Sequence, residues 1–191
     1  MTLKYTIQFL DYWHLSSGLS AGAKLDSLVV KDSNDLPYAP GKTLKGLIRE
    51  MAELLEDCDF VNSCFGGSTE DGKNGKPKDK CYDENAKNKQ GVCYFSNATL
   101  EKQEQDEIVT NRLQNHLYHV IASTAIGENG IAIDHSLREI EVVIPLTLHA
   151  TIENIPAEYG ENIRKATTML KSMGLNRTRG FGRCTIKGEL S

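Results

Sequence analysis

Residues 17–50 read SGLSAGAKLDSLVVKDSNDLPYAPGKTLKGLIRE. A loop of small residues leads to a single carboxylate, Asp26, ahead of the apolar run Leu28-Val29-Val30. A turn-rich stretch follows from Asp32 to Gly41, and Pro40-Gly41 punctuates its end. Beyond it Leu44, Leu47, Ile48, Met51, Leu54 and Leu55 recur at helical spacing, which predicts a helix starting near Lys42. Its first turn offers backbone N–H groups beside Lys42 and Lys45, a setting that suits an anion. A core helix with lysines in solvent reads equally well from the spacing.

Upstream, residues 2–10 alternate, with Leu3, Tyr5, Ile7 and Phe9 on one side and Thr2, Lys4, Thr6 and Gln8 on the other. That period of two is a half-buried strand. Downstream, Cys58, Cys64, Cys81 and Cys93 bracket a stretch of Gly, Lys, Asn and Asp that holds almost no aliphatic residue. Such a stretch cannot order itself by burial. Four thiolates closing a structural zinc site would hold it, although the spacings are not tight CxxC pairs and unligated thiols remain the alternative. A catalytic metal is disfavoured there, because four sulfur ligands leave no open position.

Residues 91–100 predict a returning strand, and 101–121 are polar and then weakly helical around Ile108, Leu113, Leu117 and Val120. His116 and His119 fall in that segment at a spacing more typical of solvated surface than of a metal site. Gly127 and Gly130 mark 122–136 as a hairpin-like excursion. From Ile140 to Ile152 every second residue is apolar, the clearest strand pattern in the chain, with Pro145 suggesting an edge or a bulge. Pro156 opens a second helix with Ile163, Ala166, Leu170 and Met173 as its buried stripe and Gly174 as its stop. A last strand is expected at about 183–190 by its composition.

Strand, helix, strand, strand, helix, strand predicts an α+β fold, a ferredoxin-like (RRM-like) βαββαβ core. Residues 1–191 then form one domain with insertions, and 39% hydrophobic content is enough for a core. No apolar run is long enough for a transmembrane helix and the first ten residues lack a signal pattern, so a cytoplasmic location and no membrane partner are expected. The net charge of −4 argues against coating nucleic acid by bulk electrostatics, but not against a local basic groove. Residues 174–183, GLNRTRGFGR, offer one. Gly180 and Gly182 permit close backbone approach, Arg177, Arg179 and Arg183 carry forked donors for phosphate, and Phe181 can stack on a base. Neither glycine cluster matches a mononucleotide or dinucleotide fingerprint.

The 17–50 stretch and GLNRTRGFGRC together resemble the RAMP superfamily of CRISPR-associated proteins. The first is similar to a glycine loop followed by D-x-P-V-x-D and PYIPGSSLKGxxR, with Leu28 in place of the proline. The second is similar to the family's glycine-rich loop, and GENGIAIDHSLREIEVV resembles the segment forming a protruding thumb hairpin, here 122–138. The resemblance implies a backbone subunit of a type III effector complex that binds CRISPR RNA, its target RNA, other CRISPR-associated subunits and further copies or paralogues of itself. It implies RNA contacts by Lys42, Lys45, Arg49, Arg177, Arg179, Gly180, Phe181, Gly182 and Arg183. It puts Asp26 at the position of an aspartate implicated in target RNA cleavage dependent on Mg²⁺ or Mn²⁺, and gives Asp32 a structural role. It also supports a zinc-binding insertion at 58–93 held by Cys58, Cys64, Cys81 and Cys93. A binding-only subunit is the alternative, and a processing endoribonuclease using His14 is a third.

Overall fold

The computed structural model describes residues 1–18, 27–67, 80–83, 85 and 88–191. In chain order the elements are β1 (Leu3–Phe9), α1 (Gly41–Glu53), α2 (Cys58–Phe65), β2 (Tyr94–Phe95) and α3 (Lys102–Thr110). They continue with β3 (Tyr118–Ser123), β4 (Arg138–Val143), β5 (Thr147–Glu153), α4 (Gly160–Met169) and β6 (Cys184–Leu190). A four-stranded antiparallel sheet has the order β2-β5-β1-β6, and β3 and β4 pair as a separate two-stranded sheet. The fold is therefore mixed α+β with antiparallel sheets.

β1 sits at the centre because its alternation gives it a fully apolar face: Leu3, Tyr5, Ile7 and Phe9 are all buried. The buried stripe of α1 (Leu44, Ile48, Ala52) and that of α4 (Ile163, Ala166) join the same core cluster. Both helices thus cover one face of the sheet and pack along each other. Each fully buried Leu or Ile contributes about 1.5–3 kcal/mol relative to exposure. Gly41 is required by the close approach of α1 to β2, since a Cβ there would lie 2.2 Å from the Phe95 carbonyl oxygen.

Trp13, fully buried, links the two sheets. Its ring stacks on Phe9 with centroids 4.4 Å apart, and its Nε1 donates to the Ile144 carbonyl at 3.2 Å. The backbone of Trp13 also exchanges hydrogen bonds with Val143 in β4. This explains why the apolar alternation from Ile140 to Ile152 is not one strand. β4 ends at Val143 in the small sheet and β5 begins at Thr147 in the large one, and Pro145, which has no N–H to give, lies at the changeover.

Other expectations shift as well. The returning strand 91–100 is only two residues of ladder, extended by isolated bridges Ala39↔Ala98 and Thr99↔His149. Residues 118–121, the end of the expected weak helix, fall in β3 (Tyr118–Ser123), in keeping with Val120 and Ile121. The cysteine-bracketed region begins with a helix, α2, that the sequence reading missed; Phe60, Val61, Cys64 and Phe65 bury it in the core. Pro156 precedes a short 3₁₀ turn, Ala157–Tyr159, rather than α4 itself, and α4 stops at Met169, before Gly174. No helix among the described residues is long and apolar enough to cross a membrane.

Candidate functional site

The glycine-arginine loop is laid down by backbone. Arg177–Arg179 form one 3₁₀ turn between Asn176 and Gly180, both left-handed. Leu175 N–H donates to the His14 carbonyl at 2.9 Å and Gly182 N–H to the Tyr12 carbonyl at 2.8 Å, so the loop is pinned to residues 12–14. Arg177 and Arg179 stand exposed on it, while Phe181 is half-buried. Arg183 is committed to Asp11, with Nη2 at 3.1 Å from Oδ1 and a shorter contact from Nε to Oδ2. That hydrogen bond holds the Asp11 carboxyl below its ordinary range and raises the Arg183 guanidinium. Arg183 therefore anchors the loop, and Arg177 and Arg179 carry its available charge.

At the start of α1 most of the N–H capacity is already used. Gly41 N–H donates to Asn97 Oδ1 at 2.8 Å, and the N–H groups of Thr43 and Leu44 donate to the Pro40 carbonyl. Lys42 is exposed and Lys45 half-buried, close enough to Cys93 to stabilise its thiolate. Arg49 braces the helix: its Nε reaches Glu53 at 2.8 Å and its Nη1 donates to the Gly66 carbonyl at 2.6 Å. Asp32 caps its own turn, accepting from the N–H groups of Asn34 and Leu36, which is a structural role.

Asp26 lies outside the described residues, but both ends of its loop are in view. Ser16 bridges Val29, Ser17 N–H donates to the Leu28 carbonyl at 3.0 Å, and Val30 N–H donates to the Leu15 carbonyl at 2.9 Å. Beneath this neck His14 is fully buried. Its Nδ1 lies 2.6 Å from the Glu141 carbonyl oxygen, which can only accept, so Nδ1 carries the proton. Nε2 shares a hydrogen bond with the Ser27 hydroxyl at 3.0 Å. With both ring nitrogens engaged, His14 is a structural post and not an exposed acid or base. His116 and His119 are exposed, and His119 meets the Tyr12 ring edge-on at 5.5 Å.

The excursion at 122–136 is a hairpin arm: β3 and β4 form its stem, and beyond them Ile126 bridges Ala132. Ile126, Ile131, Ile133 and Leu137 are each more than half exposed on the arm.

The four cysteines fall into two pairs. Cys58 and Cys81 are joined as a disulfide, and the buried thiols of Cys64 and Cys93 share a hydrogen bond that lowers Cys93 and raises Cys64. Cys58 and Cys64 are six residues apart on α2, about 9 Å of helical rise, whereas sulfurs about 2.3 Å from one zinc ion must lie within about 4 Å of each other. Among the described residues no three metal-ligating side chains converge. This arrangement does not fit one four-thiolate zinc site. The paired arrangement predicts three titratable thiols (Cys64, Cys93 and Cys184) in denaturant without reductant. Five thiols with about one zinc per chain would contradict it.

Sequence reasoning missed Glu141, Lys31 and Tyr118, which meet between the loop neck and the hairpin stem. Glu141 occupies the outward parity of its strand, so nothing in the alternation signals that it is buried.

Compared with protein families, residues 6–185 match the RAMP superfamily. The chain belongs to the RAMP superfamily. Among solved structures, the type III-B Cmr-beta bound to cognate target RNA contains a chain like this RAMP protein, with a TM-score of 0.70 and 11% identity. The likeness covers 98% of this chain and 97% of that one. The apo state of Cmr-beta gives a TM-score of 0.68 at the same identity and the same coverage of both chains. At that identity the likeness is one of fold. No curated protein matches the sequence of this RAMP protein.

Proposed function

We propose that this chain is a CRISPR RNA-binding backbone subunit of a type III effector complex, and that it cuts complementary target RNA with the help of Asp26. The sheet order β2-β5-β1-β6, with α1 and α4 on one face, supports a ferredoxin-like core. In this reading the arm at 122–138 is a thumb, and Arg177 and Arg179 hold phosphates with Lys42 and Lys45. Other type III subunits and neighbouring copies complete the groove.

One observation carries the catalytic half: the residue after Asp26, Ser27, bridges Ile140 of the hairpin strand β4. In this reading a nucleotide splayed out by the arm reaches the segment that begins at Ser27, next in sequence to Asp26. Its 2′-hydroxyl, held in line, attacks the adjacent phosphorus; the O2′–P bond forms as the P–O5′ bond breaks. The products are a 2′,3′-cyclic phosphate and a 5′-hydroxyl end. Asp26 takes the 2′-hydroxyl proton, and water supplies one to the departing 5′-oxygen. A Mg²⁺ or Mn²⁺ ion, when bound, would neutralise charge on the phosphate.

The test is magnesium-dependent cutting of complementary RNA by the assembled complex carrying Asp26→Ala. Loss of cutting with the guide retained supports the proposal. Unchanged cutting leaves a binding-only subunit.

A further inference from the structure

Glu141 commits its polar groups to His14 and to residues 27–31. Its N–H donates to the Ser27 carbonyl at 3.2 Å, and its own carbonyl accepts from His14 at 2.6 Å. Its carboxylate accepts from the Val29 N–H at 3.2 Å and from Lys31 Nζ at 2.8 Å. The residue is 8% exposed. Lys31 in turn lies over the ring of Tyr118 in β3, 3.8 Å from its centroid, and the Tyr118 hydroxyl donates to the Asp35 carbonyl at 2.6 Å. Both strands of the hairpin stem are thus tied to the segment that leaves the loop.

Stability alone does not call for this arrangement. A buried ion pair recovers its desolvation cost only with good geometry, and an apolar pair of similar volume often does as well. What the charges add is register. Residues 27–31 meet β4 itself at a single bridge, Ser27 to Ile140, while residues 15–17 pair with 28–30 on the other side, and a slip of one residue against β4 would turn every side chain over.

We propose that Glu141 is a positioning residue: it sets the register of the loop neck on β4 and so transmits the hairpin's position to the segment that follows Asp26. The inference rests on the reading of Asp26 and the hairpin given above. The test is a double-mutant cycle of Glu141→Gln and Lys31→Met in the guide-loaded complex. Each single variant is expected to lower the maximal single-turnover cutting rate about tenfold, with the half-saturating target concentration changed less than about twofold. The double variant should be no slower than about tenfold, because the residues act as one unit. Unchanged rates, effects that multiply to about a hundredfold, or loss of the guide in step with the rate would overturn it.

Amide exchange at Ser17 and Val30, whose bonds do not involve Glu141, reads the neck whether or not the complex cuts. It should rise in both single variants and no further in the double; unchanged exchange also overturns the proposal. Asp26→Ala in the same assays separates the two ideas: persistent cutting removes the role of Asp26 and leaves the cycle to be read on its own.

Discussion

Asp26→Ala is expected to slow target cutting by the assembled complex at least about a hundredfold, the ordinary scale for removing a positioned acid–base group, with guide retention unchanged. Everything else assigned to the RNA surface is cationic or neutral, and a carboxylate there repels the phosphate it sits near. Handling a proton or a metal ion would give it a reason to be there. Asp26→Asn should therefore fall almost as far as the alanine variant, because it keeps the size and loses the charge. If the asparagine variant cuts normally, the residue shapes the loop and performs no chemistry.

Gly182→Ala is expected to cause a large loss of stability. Gly182 has φ +65°, and a methyl group there would come 1.9 Å from the Met173 carbonyl oxygen. The obstacle is backbone on both sides, so no side chain can swing away. Relief requires breaking the bonds from Gly182 N–H to Tyr12 and from Met173 N–H to the Gly182 carbonyl. The left-handed conformation costs about 1–2 kcal/mol and each lost bond about 0.5–1.5, a total on the order of 3 kcal/mol. For a chain of this size that lowers Tm by about 10 °C. Because those bonds also seat the arginine turn, RNA retention should fall with stability. Gly180→Ala is the control: φ there is +91°, but nothing lies within 4 Å of the added methyl, so only the conformational cost applies. Calorimetry giving equal midpoints for the two variants would contradict the account.

The central strand, both core helices, the hairpin arm and the glycine-arginine loop were legible in the sequence because each is set by local pattern. β1 shows its alternation and α1 its helical spacing, and the arm and the arginine loop are marked by glycines. What was not legible depends on partners distant in sequence. The alternation through Ile140–Ile152 is continuous, and only the backbone bonds of Trp13 to Val143 show that it serves two sheets. Cys64 reads as one of four equivalent thiols, and only α2 shows that it is buried in the core and paired with Cys93 while Cys58 pairs with Cys81. Arg49 and Arg183 read as phosphate ligands by residue type, yet each is held by a carboxylate, Glu53 and Asp11. Spacing gives no sign of such pairings, and they divide anchoring arginines from available ones.

In the proposed function Arg177 and Arg179 hold RNA, and the salt dependence of guide binding tests that role most directly. Each phosphate contact on a single strand contributes about 0.7 to the slope of log affinity against log salt. Arg177→Ala/Arg179→Ala should therefore lower that slope by about 1.4 and weaken binding for every guide sequence alike. Wild-type affinity and an unchanged slope in the double variant would contradict the claim.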